Sequence, residues 1–154
     1  MEIINTKLNG VFIIEPDVFG DDRGYFYESF NAKKFKEKTG IEVNFVQDNE
    51  SKSKYGVVRG LHFQKGDYAQ TKLVHVAKGR ILDIAVDIRK DSPTYGKHVA
   101  IELSDVNHRQ LYISKGFAHG FSVLSEEAIF QYKCDNFYAP QAEGAIAWDD
   151  PDLG

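Results

Sequence analysis

The sequence predicts an all-β domain spanning 1–154, folded as a jelly roll or β-barrel with one short helix. Three observations carry that expectation. Short segments rich in β-branched and aromatic residues recur along the chain, turn-forming Gly, Asn, Asp, Ser and Pro separate them, and only one segment has helical character. No internal repeat, low-complexity tract or linker interrupts the pattern.

Taken in order, "VFIIEP" (11–16) is the first candidate strand, and "YFYESF" (25–30) follows the acidic turn of "GDDRGYFYESFN" (20–31). "NAKKFKEKTG" (31–40) is the helix, with Asn31 as its N-cap and Gly40 as its stop. It has few apolar positions and is expected on the surface. "VNFVQDN" (43–49) is the next strand, and its polar end in "FVQDNES" (45–51) reads as ordinary turn chemistry. The remaining strands are "GVVRGLHFQ" (56–64), "KLVHVAKG" (72–79), "RILDIAVDIR" (80–89), "HVAIELS" (98–104), "RQLYIS" (109–114), "GFSVLS" (120–125) and "AIFQYKC" (128–134). Alternation sets Lys72, Val74 and Val76 on one face, with Leu73 and His75 on the other. It likewise groups Phe130, Tyr132 and Cys134 against Ile129, Gln131 and Lys133.

"VVRGLHFQ" (57–64) poses the sharpest question, because a strand of valine, leucine and phenylalanine carries two ionisable groups. Strict alternation puts Arg59 and His62 on opposite faces. Gly60 between them is where a bulge could re-aim one of the pair.

Composition narrows the function. The net charge of −4 argues against a nucleic-acid groove or an anionic membrane surface, while leaving room for a local basic pocket. A single cysteine, Cys134, excludes an internal disulfide framework and points to a reducing compartment. "MEIINTKLNG" has no charged region followed by an apolar run, and no stretch approaches ~18 apolar residues, so a cytoplasmic protein is expected. His62 is followed by Phe63 and Gln64, and His75, His98, His108 and His119 are scattered. No metal is therefore expected, and His62 is left to act through its own proton chemistry. No glycine-rich phosphate loop, Ser-His-Asp signature or CxxC pair is present.

In combination, "IIEPDVFGDDRGYFYESFN", "FVQDNESKSKYGVVRGLHFQ", "QTKLVHVAKGRILDIAVDIRKDSPTYG", "KGFAHGFSVLSEEAIFQYKC" and "WDDPDLG" resemble the dTDP-4-dehydrorhamnose 3,5-epimerase family over nearly the whole chain. The resemblance implies a cupin-type jelly roll, a homodimer, no cofactor and no metal. It implies a dTDP-linked 4-keto-6-deoxyhexose as substrate, epimerised at C3 and C5 through enolates. His62 is then the base, Tyr132 the acid, and Lys72 the cation beside the enolate oxygen. Substrate contacts carry over onto Arg23, Glu28, Gln47, Asn49, Arg59, His119 and Glu143. Tyr138, or Phe137 if the register slips, stacks on the thymine, and Phe19, Arg23 and Glu28 come from the neighbouring subunit. The residue types suit these tasks: imidazole exchanges protons near neutral pH, a phenol carries a proton, and an ammonium stabilises developing negative charge.

The family continues beyond "WDDPDLG" with an aspartate that orients the base histidine and a lysine that contacts ligand. In their absence Asp83 becomes the candidate to orient His62, the other reading being a satisfied core carboxylate. Two further functions stay open on the sequence. One is a 3- or 5-monoepimerase on a related nucleotide-linked ketosugar, and the other a non-catalytic nucleotide-sugar-binding cupin. A metal-dependent cupin is disfavoured by the histidine spacing.

Overall fold

The run VFII lacks polar alternation because its strand is covered on both sides. Val11 and Ile13 enter the main core, whereas Phe12 and Ile14 join a second cluster with Phe35, Leu73 and Tyr112. The computed structural model describes residues 1–147, so the motif WDDPDLG (148–154) lies outside the described residues.

In chain order the strands are β1 (Glu2–Asn5), β2 (Val11–Glu15), β3 (Phe19–Asp21), β4 (Gly24–Phe26), β5 (Gln47–Lys54), β6 (Val58–Gln64) and β7 (Lys72–Lys78). They continue with β8 (Arg80–Asp87), β9 (His98–Ser104), β10 (Gln110–Ile113), β11 (Phe117–Val123), β12 (Glu127–Cys134) and β13 (Glu143–Ala145), and one helix, α1 (Ala32–Thr39), precedes β5. A six-stranded sheet, β1-β2-β10-β7-β12-β5, packs on a five-stranded sheet, β13-β6-β11-β8-β9, and β3 and β4 form a separate hairpin. Val74, Val76, Ile81, Leu103, Leu111 and Phe130 fill the space between the sheets. This is the jelly-roll arrangement expected of the sequence.

The helix has the predicted ends. Asn31 Oδ1 accepts the Lys34 N–H at 3.1 Å, and Gly40 closes the helix in the left-handed region at φ 73°. Its one buried residue, Phe35, covers the outer apolar face of the six-stranded sheet.

Several predicted boundaries are corrected. The 25–30 strand is instead a short hairpin, β3–β4, followed by an irregular stretch tied down where the Gln110 side-chain amide donates to the Ser29 carbonyl at 2.7 Å. The 43–49 strand begins only at Gln47 and runs on to Lys54, through residues read as a turn. Hydrophobic periodicity misses β5 because "QDNESKSK" has no apolar residue. Its pairing with β12 holds it, helped by Lys133–Asp48 at 2.9 Å and Gln131–Glu50 at 2.7 Å. Neither β1 nor β13 was expected. Ile3 and Ile4 align with Ile14 and Ile13, and "EGA" is a strand only because β6 offers a free edge.

Candidate active site

A β-bulge answers the question raised by VVRGLHFQ. His119 lies opposite His62 and Phe121 opposite Arg59, so one residue of β11 faces two of β6. The bulge needs Gly60, whose φ is +111° and whose Cβ, if present, would stand 2.7 Å from the His119 carbonyl oxygen. Arg59 and His62 therefore line the same cavity, while Leu61 joins an apolar cluster with Val86 and Ala118.

That cavity is about 690 Å³ and opens between the two sheets. His62 comes from the five-stranded sheet, Lys72 and Tyr132 from the six-stranded one. Lys72 Nζ stands 5.5 Å from the centre of the Tyr132 ring. Burial pulls the Lys72 ammonium below its ordinary value, against the opposing pull of Cys134, Asp83 and Glu143. Burial likewise pushes the Tyr132 phenol up.

Asn49, Arg59, His119, Tyr138 and Glu143 also line the cavity. Glu143 Oε1 is 3.7 Å from His62 Nδ1, and Glu143 Oε2 accepts the Tyr138 hydroxyl at 3.0 Å. Arg59 Nε donates to the buried Ser53 Oγ at 2.9 Å, and among the described residues its terminal guanidinium nitrogens make no hydrogen bond. Gln47 sits beside the cavity. Its Oε1 accepts the Tyr138 N–H at 3.0 Å and its Nε2 donates to Asn49 Oδ1 at 3.0 Å.

Four candidates lie elsewhere. Asp83, the candidate to orient His62, bonds instead to His119: Oδ1 is 2.7 Å from His119 Nε2. The reason is topological, because β11 stands between β6 and β8. The carboxylate nearest His62 in the described residues is that of Glu143. Phe19, Arg23 and Glu28 do not line this cavity. Phe19 is 66% exposed, the Arg23 side chain is 90% exposed and pairs with Asp21, and Glu28 holds Lys34 and Asn31.

The sequence reading missed Ser51, Gln70, Phe121 and Phe130, which also line the cavity. For Ser51 the signal was the Asn49, Ser51, Ser53 alternation, hidden because a polar strand reads as a turn, and for Phe130 it was the face shared with Tyr132. Among the described residues no group of three or more His, Cys, Asp or Glu side chains is placed to hold a metal ion. Among the same residues no helix is long and apolar enough to cross a membrane.

A jelly roll whose cavity gathers an imidazole, an ammonium and a phenol from opposing sheets belongs to the class of the cupin-like sugar epimerases. The family model for dTDP-4-dehydrorhamnose 3,5-epimerase matches residues 5–154. A dTDP-4-dehydrorhamnose 3,5-epimerase of Salmonella typhimurium is 56% identical, covering 100% of this chain and 84% of its own length. A dTDP-6-deoxy-D-glucose-3,5-epimerase structure from Legionella pneumophila, in complex with dTDP-4-keto-L-rhamnose, superposes with a TM-score of 0.95 at 53% identity, covering 99% of this chain and 80% of its own. A 3'-monoepimerase from Streptomyces bikiniensis, bound to dTDP-quinovose, gives a TM-score of 0.93 at 30% identity, over 98% of this chain and 76% of its own. The chain belongs to the dTDP-4-dehydrorhamnose 3,5-epimerase family.

Proposed function

We infer that the chain is an isomerase that inverts C3 and C5 of dTDP-4-dehydro-6-deoxy-D-glucose. The product is dTDP-4-dehydro-L-rhamnose, on the route to dTDP-L-rhamnose. One observation carries the reading: His62 and Tyr132 enter the cavity from opposite sheets, with Lys72 beside Tyr132. Inversion requires a proton to leave one face of the sugar and return to the other. A base and an acid on facing walls meet that requirement.

The C4 carbonyl acidifies the adjacent C–H bonds. His62 removes the C3 or C5 proton, Lys72 stabilises the charge that moves onto the C4 oxygen, and Tyr132 returns a proton from the far side. Repetition at the second carbon completes the double inversion. Arg59 binds the diphosphate, and Tyr138 stacks on the thymine ring. The higher identity to 3,5-epimerases, 53–56% against 30% for the monoepimerase, favours two inverted centres over one.

The active form in this reading is a homodimer. The exposed hairpin carries Phe19, Tyr25 and Phe26, which are 66%, 57% and 67% exposed. An aromatic cluster of that kind beside Arg23 suits insertion into a second subunit's cavity, where Phe19, Arg23 and Glu28 complete the site. A single buried cysteine agrees with cytoplasmic residence.

Proton NMR of dTDP-4-dehydro-6-deoxy-D-glucose in deuterated water tests the function. The expected result is deuterium at both C3 and C5, with the L-rhamno product. Deuterium at one centre would make the chain a monoepimerase, and none at either would make it a binding protein.

A further inference from the structure

Gln64 closes the strand that carries His62 and borders the same cavity, yet its side-chain amide is committed to the protein. It is buried, and both of its amide hydrogens are already engaged. Nε2 donates to the Tyr68 carbonyl at 2.6 Å and to the Phe137 carbonyl at 3.2 Å, while Oε1 accepts the Ala139 N–H at 2.8 Å. The amide therefore has no N–H left for a substrate. Two of its three partners flank Tyr138 in the chain.

Other glutamine side chains grip the same loop. Gln47 accepts the Tyr138 N–H at 3.0 Å, and Gln70 donates to the Asn136 carbonyl at 2.9 Å. The segment 136–139 has no strand partner along this stretch, so side chains take the place of a backbone ladder. Tyr138 itself is 57% exposed, and the one hydrogen bond of its side chain among the described residues runs from its hydroxyl to Glu143. Its ring is placed by its backbone, and its backbone is placed by glutamines.

We propose that Gln64 is a positioning residue for nucleotide recognition, holding the Phe137–Ala139 backbone so that the Tyr138 ring is preset for the base. The proposal rests on the reading of Tyr138 as the base-stacking residue. It goes beyond that reading by linking the strand that bears the catalytic base to the loop that binds the nucleobase. Presetting the ring lowers the ordering cost that binding would otherwise carry.

A double-mutant cycle on dTDP affinity, measured by calorimetry, is the test. Gln64→Met keeps length and volume but loses all three hydrogen bonds. It is expected to weaken dTDP binding about tenfold or more, since each uncharged hydrogen bond contributes roughly a fewfold to tenfold factor. In a Tyr138→Ala background the same change should add less than about threefold. Solvent-deuterium exchange at saturating substrate should stay within about threefold of wild type, so that KM moves and kcat does not. Gln70→Ala removes the Asn136 bond together with a cavity-lining side chain, and the part of its loss that acts through the loop should vanish in the Tyr138→Ala background, at smaller amplitude. It decides the matter if Gln64→Met fails to fold. Wild-type dTDP affinity in the folded variants, or a loss that persists at full size without the Tyr138 ring, overturns the proposal. Wild-type affinity in Tyr138→Ala alone would show that the base-stacking reading has failed, and that outcome is read before either glutamine is changed.

Discussion

His119 Nε2 lies 2.7 Å from Asp83 Oδ1, and Asp83 is fully buried, its other oxygen without a partner among the described residues. Burial pushes the Asp83 carboxyl above its ordinary value, with the nearby His119 opposing the shift. With Nε2 engaged, Nδ1 is the His119 ring nitrogen without a hydrogen bond among the described residues. Asp83→Ala strands a buried imidazole nitrogen and should lower stability by about 1–3 kcal/mol. Asp83→Asn retains a partner and should lose less. Urea denaturation of the three proteins checks the order, and equal midpoints would mean the bond contributes nothing.

His62 and Tyr132 should fail differently when replaced. His62→Ala removes the base, so deuterium exchange and inversion should fall together by ~10²–10⁴-fold. Tyr132→Phe keeps the base and the ring, so exchange from one face should outlast net inversion. NMR time courses in deuterated water separate the two, and wild-type exchange in His62→Ala would assign the base elsewhere.

The shared-site dimer predicts complementation. His62→Ala and Arg23→Ala subunits, dissociated together and reassociated, form mixed dimers in which one site has an intact wall and an intact hairpin. Random pairing restores about a quarter of wild-type sites from two weakly active parents. A mixture no more active than the parents' mean would place Arg23 in its own chain's site or in none.

Arg59 should dominate diphosphate binding. Its Nε is held by Ser53 at 2.9 Å, so the terminal nitrogens are free to meet a phosphate in parallel. Arg59→Ala is expected to weaken dTDP by about 1.5–3 kcal/mol and to flatten the salt dependence of binding. Titration at two ionic strengths measures both effects.

Asp87 makes stability depend on acid pH. Burial alone would raise its carboxyl, but hydrogen bonds from Arg89, Ser92 and Thr94 outweigh burial and hold it far below the unfolded value of 3.8. A depressed folded value stabilises the protein above the unfolded one, and that contribution is lost as pH falls below about 4. Asp87→Asn should therefore melt below wild type at pH 7, with the gap narrowing steadily as the pH is lowered under 4. A gap constant across that window would tie the loss to packing instead of charge.

Local pattern was enough to determine the all-β class, the ends of α1 at Asn31 and Gly40, and the shared face of Val74 and Val76 in the core. It also carried the motifs that mark the family, because those are runs of neighbouring residues. Tertiary structure alone decided the rest. Whether β5 and β13 are strands depended on free edges offered by β12 and β6, which no property of "QDNESKSK" or "EGA" reveals. Arg59 and His62 share a cavity because β6 bulges against β11, and Asp83 serves His119 because β8 lies beside β11 and not β6. Side-chain periodicity reports which face of a strand is buried, but register and strand order are set by contacts between residues far apart in the chain.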